Sequence, residues 1–169
     1  MDVGSVKLRT RQGRQRTVDD LTTLFDLCLV AVDLRRPSSY ARLLPVVERI
    51  DNVLSGADCT VGVLLVGGEE GDAETALGPL ARQVAVFADP DAEAARGLGL
   101  SGTPALLWIT TAPDIGAVVE GWEPLAWRKV FDQLARKLAW ARPLVPAPGD
   151  PPSFPARPFG PGARAGLAG

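Results

Sequence analysis

Four short apolar runs constrain this chain more than any other feature: LCLVAVDL (27–34), CTVGVLLVGG (59–68), QVAVFAD (83–89) and ALLWI (105–109). Each is continuous rather than alternating, which is the pattern of a strand buried on both faces. Helical patterns lie between them. After RRPSS, residues Leu43, Leu44, Val47, Ile50 and Val53 recur at spacings of three and four and share one face. Pro45 lies inside that pattern, where proline kinks a helix. Residues 73–81 and DAEAARGLGL (91–100) read as short helices. Parallel strands need crossovers of this kind. ALLWI and the strand within TTAPDIGAVVEGW, ended by Gly121, read instead as an antiparallel hairpin. Pro124 then opens an amphipathic helix over 124–140, with Leu125, Val130, Phe131, Leu134 and Leu138 as its stripe. VKLRTRQGRQRTV (6–18) reads as an opening hairpin turned at Gly13, and Thr17 or Asp19 caps a helical turn through Leu21. The order predicts an α/β fold: a mixed central β-sheet with helices on both faces, preceded by a β-hairpin.

The chain of 169 residues, 46% of them hydrophobic, suits one domain with a sizeable core and some chain to spare. The domain is expected over 1–141. The remainder, 142–169, is dominated by Pro, Gly and Ala and cannot bury enough apolar surface to offset its ordering entropy. It is expected to be an extended, mobile tail, with Phe154 and Phe159 as its anchors if something holds it.

Several function classes fall away. Net charge is −2, so no nucleic-acid partner is expected. The basic cluster Lys7, Arg9, Arg11, Arg14 and Arg16 reads as the solvated face of the hairpin. There is no histidine, which removes His-dependent triads and the commonest metal ligand. Two cysteines are too few for a disulfide framework or a Cys-rich zinc site, and no metal or cofactor is expected. No apolar run reaches the roughly 18 residues of a membrane span. The opening MDVGSVKLRT lacks an apolar signal core, so a cytoplasmic location is expected.

The order of elements and several local motifs resemble the thioredoxin superfamily, and within it the TlpA/ResA/MauD-like branch. KLRTRQGRQRTVDDL resembles the branch's opening hairpin, and LVAVDLRRPSSYARLLPVVERI its strand, active-site turn and first helix. FADPDAEAARGLGLSGTPALLWI resembles the passage that leads into the family's cis-proline, which falls here on Pro104. The EGW at 120–122 sits where the last strand's glycine is expected, so the likeness covers roughly residues 5–140.

The resemblance also implies a departure. If Pro45 is the family's kinking proline, the two redox cysteine positions fall on Pro37 and Tyr40, and C-x-x-C is replaced by Pro-Ser-Ser-Tyr. Arg36 stands where a tryptophan usually precedes the first cysteine. Cys28 and Cys59 open their strands, at the sheet end opposite that turn. They read as inert core thiols, as a bridge between neighbouring strands, or as displaced catalysts. Ser38 and Ser39 lack a histidine base and read as caps of a helix beginning near Tyr40. Asp33 is either a buried family-like acid or a strand-end carboxylate near Arg35 or Arg36. Glu69, Glu70 and Asp72 read as a solvated loop. Trp122, Trp127 and Trp140 are core or helix-edge aromatics, or a partner surface.

The resemblance therefore implies a redox-inactive protein-binding module: an assembly factor, a chaperone or a complex subunit. Its partner would be another protein or an extended peptide. The binding residues would be Arg36, Pro37, Ser38, Ser39 and Tyr40 on one wall of a groove and Gly102, Thr103 and Pro104 on the other, paired as in β-augmentation. The tail would add a second contact through Phe154 and Phe159, or fold back over the groove. The alternatives are a thiol–disulfide oxidoreductase or peroxidase using Cys28 or Cys59, and a small-ligand carrier.

Overall fold

The structure is a computed structural model that describes residues 2–159. The last ten residues of the expected tail lie outside the described residues. The opening hairpin forms from β1 (Lys7–Thr10) and β2 (Gln15–Thr17), and Gly13 takes its turn at φ +83°. Thr17 caps α1 (Val18–Leu21): its hydroxyl accepts from the Asp20 amide, and the Asp20 carboxylate accepts from the Thr17 amide.

The apolar runs become β3 (Asp26–Asp33), β4 (Cys59–Val66), β5 (Ala85–Asp89) and β7 (Ala105–Ile109). β8 (Ile115–Glu120) completes a seven-stranded sheet in the order β2-β1-β5-β4-β3-β7-β8. β3, β4 and β5 are parallel, while β1, β7 and β8 pair antiparallel with their neighbours. A strand's side chains alternate between faces. Cys28, Val30 and Val32 of β3 therefore enter one core, and Leu27, Leu29 and Ala31 enter the other.

The helices cover both faces. A one-turn α2 (Pro37–Tyr40) passes through a tight turn at Ala41–Leu43 into α3 (Leu44–Leu54). The interruption falls where Pro45 led one to expect a kink. Proline removes the amide that a continuous helix would use, so it sits in the first turn of α3 instead. Leu43, Val46, Val47, Ile50 and Leu54 form the buried stripe, with Leu44 and Val53 half-buried beside it. α4 (Ala73–Leu77) and α5 (Glu93–Gly97) are the short crossovers.

The last helix, α6 (Pro124–Leu138), corrects one assignment. Leu125 is 69% exposed, and Trp127 takes the inward place together with Val130, Phe131 and Leu134. Residues 127, 130, 131 and 134 follow the helical repeat, whereas 125 stands on the far side of 127. Trp127 and Trp122 are fully buried, edge to face with ring centroids 4.9 Å apart. A partner surface built from those two rings is thereby ruled out. Trp140 is half-exposed and donates its indole N–H to the Val53 carbonyl at 2.7 Å.

Lys7, Arg14 and Arg16 are exposed on the hairpin as expected, while Arg9 and Arg11 are ion-paired rather than merely solvated. Arg9 reaches Glu70 at 3.3 Å, and Arg11 reaches Glu74 at 2.9 Å. Among the described residues, no helix is long and apolar enough to cross a membrane.

The burial assignments on α6 are testable by urea unfolding. Trp127→Ala should cost about 3–5 kcal/mol. Leu125→Ala should stay within about 0.5 kcal/mol of wild type. Equal losses at the two positions would mean that the inward face of α6 has been misassigned.

Candidate functional site

The turn after β3 and the loop before β7 meet at one end of the sheet. Ala31 pairs with Ala105, so the strand register sets the turn that follows Asp33 beside Thr103–Pro104. That peptide bond is cis, and the Pro104 carbonyl accepts from the Gly121 amide at 2.7 Å. The facing strand supplies the clamp. Glu120 pairs with Ala105, and its Oε1 accepts from the Ser101 amide at 3.0 Å, the Ser101 hydroxyl at 2.9 Å and the Gly102 amide at 2.7 Å. Hydrogen bonds to a carboxylate are the stronger kind, and these three hold the loop's backbone in place.

Asp33 organises the opposite wall. Its carboxylate is buried and takes Arg35 in a two-pronged pair, Nε to Oδ1 at 2.8 Å and Nη2 to Oδ2 at 2.6 Å. Oδ1 also accepts from the Arg35 amide at 2.9 Å, and Oδ2 from Arg36 Nη1 at 3.4 Å. Asp33 thus combines both expected features, burial and pairing with the neighbouring arginines. The hydrogen bonds to Asp33 raise the pKa of the Arg35 guanidinium.

The helix begins at Pro37 with Arg36 as its N-cap, and no side chain caps it. Ser38 and Ser39 are therefore not caps, contrary to the expectation. They lie inside the first turn, because proline at the first helical position needs no amide partner. Pro37 and Ser38 face solvent. Tyr40 is turned into the core, and burial pushes its phenol up.

The described part of the tail lies against the domain instead of moving free of it. Val145 is buried in the core, Arg49 Nη2 meets Asp150 at 2.6 Å, and Arg49 Nε donates to the Leu144 carbonyl at 2.7 Å. Trp122 Nε1 donates to the Pro151 carbonyl at 2.8 Å. Trp122 and Phe154 exchange two backbone hydrogen bonds, at 2.9 and 3.1 Å. Beyond them β9 (Arg157–Pro158) pairs antiparallel with β6 (Gly102–Thr103), a two-stranded ladder that no apolar periodicity announced. Specific backbone pairing holds a segment whose composition alone gives it little to bury. Phe154 and Phe159 are both anchors: the Arg42 guanidinium stands 5.6 Å from the first ring, and Arg96 stands 5.4 Å from the second.

A cavity of about 200 Å³ remains between tail and turn. Arg36, Ser39, Tyr40, Thr103 and Pro104 line it, joined by Phe154 and Arg157 from the tail. The residues predicted for the two walls thus converge, except Pro37 and Ser38, while Gly102 faces the tail backbone. A larger hollow of about 380 Å³ between the β1 hairpin and α5 contains none of them. Arg42, Glu120 and Arg157 are the contributors that sequence reasoning missed. Glu120 had one available signal, its place across the hairpin from the residue after Pro104.

Cys28 and Cys59 are free thiols in the core at the far end of the sheet. Cys28 lies five residues before Asp33, roughly 16 Å along the strand. The acidic loop is closed on itself, with the Asp72 carboxylate accepting from the Glu69 amide at 2.8 Å. No group of three His, Cys, Asp or Glu residues able to hold a metal occurs among the described residues.

No protein-family model matches the chain, and no curated protein matches it in sequence. Solved structures do resemble it. A candidate thioredoxin from Neisseria meningitidis superposes with a TM-score of 0.64 at 15% identity, over 80% of this chain and 90% of that one. The exposed lipoprotein thioredoxin of Streptococcus pneumoniae gives 0.57 at 18% identity, over 75% and 97%. Arabidopsis thaliana ScoI, solved with copper bound, gives 0.55 at 10% identity, over 82% and 99%. These likenesses establish the architecture: the chain has a thioredoxin-like fold.

Proposed function

We propose that this chain is a redox-inactive thioredoxin-fold module that recognises an extended peptide in the groove between residues 36–40 and 102–104. The observation that carries the reading is that Gly102–Thr103 already pairs its backbone with an extended segment, the chain's own β9. Backbone pairing supplies affinity of this type, and side-chain pockets beside it supply selectivity.

The placement of sulfur supports the absence of redox chemistry. Thiol–disulfide exchange needs a thiolate that can reach a disulfide. On the thioredoxin resemblance, the turn that would carry it is Pro37 to Tyr40, which holds none. The remaining thiols are poorly placed and poorly ionised. Burial, and then the neighbouring Cys59, raise the Cys28 pKa well above the ordinary thiol value. Burial, and then the Asp26 carboxylate, push Cys59 up to about 12. At pH 8 a thiol of that pKa is ionised in roughly one molecule in ten thousand. The cavity under the tail favours a second reading, a carrier of a small ligand.

Three outcomes are expected. Wild type and the Cys28→Ser/Cys59→Ser double variant should both leave insulin reduction by dithiothreitol at its background rate. Activity that disappears in the double variant would overturn the redox-inactive reading. Stability should fall as pH rises above about 8.5, because the unfolded thiols then lose protons that the native thiols keep. Cys59→Ala should flatten that decline in urea melts taken at successive pH values. Peptides selected on the chain from a random display library should bind in extended form and lose binding on Thr103→Arg; retained binding would place their site elsewhere. For the carrier reading, native mass spectrometry should show a small compound that is lost on Thr103→Arg, and a wild type that carries none would sink it.

A further inference from the structure

We propose that residues 154–159 are a built-in competitor for the groove, and that the groove's external ligand shares their pattern. That pattern is an aromatic residue, four residues containing proline and a basic side chain, and a second aromatic, here Phe-Pro-Ala-Arg-Pro-Phe. The inference rests on the peptide-groove reading above and specifies both its ligand and its control.

The groove is shaped to this segment at several independent points. A Cβ on Gly102 would stand 2.6 Å from the Arg157 carbonyl oxygen, so only glycine lets the tail backbone approach this closely. Gly121, at φ +97°, also lies against the tail backbone: a Cβ there would stand 3.1 Å from the Ala156 amide nitrogen, a tight contact in a conformation that favours glycine. The ladder is also registered for proline. Pro158 stands opposite Gly102, and the Phe159 amide donates to the Ser101 carbonyl at 3.3 Å. Hydrogen-bonded and non-bonded pairs alternate in an antiparallel ladder, so Pro158 occupies a position where no amide is needed. The Gly102 amide, free of the ladder at that position, is the one Glu120 takes at 2.7 Å. Arg36 Nη2 reaches the Pro158 carbonyl at 3.4 Å, so the turn wall reads the same residue from its other side.

Two parts of the tail are held differently, and that difference makes it a competitor rather than a permanent strand. Residues up to Pro151 are clamped by the buried Val145, the Arg49–Asp150 pair and the Trp122 indole. Beyond Phe154 the hold is a two-residue ladder whose tail members, Arg157 and Pro158, face solvent, with the long Arg36 and Ser101 hydrogen bonds beside it and the buried Phe159 ring at its end. The clamp keeps the lighter segment at the groove, where a short tether gives effective concentrations in the millimolar range. An external peptide binds only the fraction of molecules whose groove is vacant, and its apparent Kd rises in proportion.

A fluorescein-labelled peptide PSFPARPF, titrated by anisotropy, separates the possibilities on full-length proteins. Arg157→Pro removes a tail amide from the ladder at an exposed position and leaves the core untouched. Phe159→Ser removes the terminal anchor. The expected result is binding at least tenfold tighter to both variants than to wild type, with a scrambled peptide binding none of them. If Phe159→Ser fails to fold, as judged by its thermal melt, Arg157→Pro carries the test. Equal affinity for wild type and variants would overturn the competitor and leave the groove intact. Failure of the peptide to bind any of the proteins would overturn the groove itself.

Discussion

A strand buried on both faces has no water to turn to, so every backbone group and side chain on it must be satisfied by neighbours. β3 is that strand here. It pairs along its length with parallel β4 and with antiparallel β7, and its alternate residues start the two cores. The rest of the architecture follows from meeting its needs. Helices must cover both faces, which brings α3 and α6 to one side and α5 to the other. Its end at Asp33 then sets where the chain can leave the sheet. Its pairing with β7 sets how far the Thr103–Pro104 loop stands from that exit.

The groove is a product of this register, and small residues decide what enters it. Glu120 holds the loop backbone from behind, while Asp33 holds the two arginines of the turn. Between them, Gly102 and Gly121 leave side-chain-free surface for another backbone. The arrangement positions donors, acceptors and guanidinium groups around the docked tail. On the reading proposed above, it serves to hold an extended chain, and the tail is one example.

Most elements could be read from pattern because each depends on local periodicity. The continuous apolar runs became the buried strands, the spacing around Val47 and Ile50 became the stripe of α3, and Gly13 became the hairpin turn. The failures have a common cause. Leu125 belongs to the apolar set of α6 by composition, but a helix buries one arc, and Trp127 occupied it. Ser38 and Ser39 are good caps in isolation, yet Pro37 began the helix before them. Of the site, the two walls were named from resemblance, whereas Arg157 lies far from both in sequence, Arg42 follows the turn wall by two residues without a motif to mark it, and Glu120 had only its hairpin register as a signal.

The sequence by itself determined the layered α/β plan, the absence of sulfur at the turn from Pro37 to Tyr40, and the burial of the two cysteines, since hydrophobic period and residue identity are local properties. Only the tertiary structure decided that the proline-rich segment is docked rather than loose. Its composition promises little burial, and its hold comes from backbone pairing with Gly102–Thr103 and Trp122. Such pairing depends on which strands meet in space, on a glycine standing where a Cβ would block approach, and on a proline falling at a position that needs no amide.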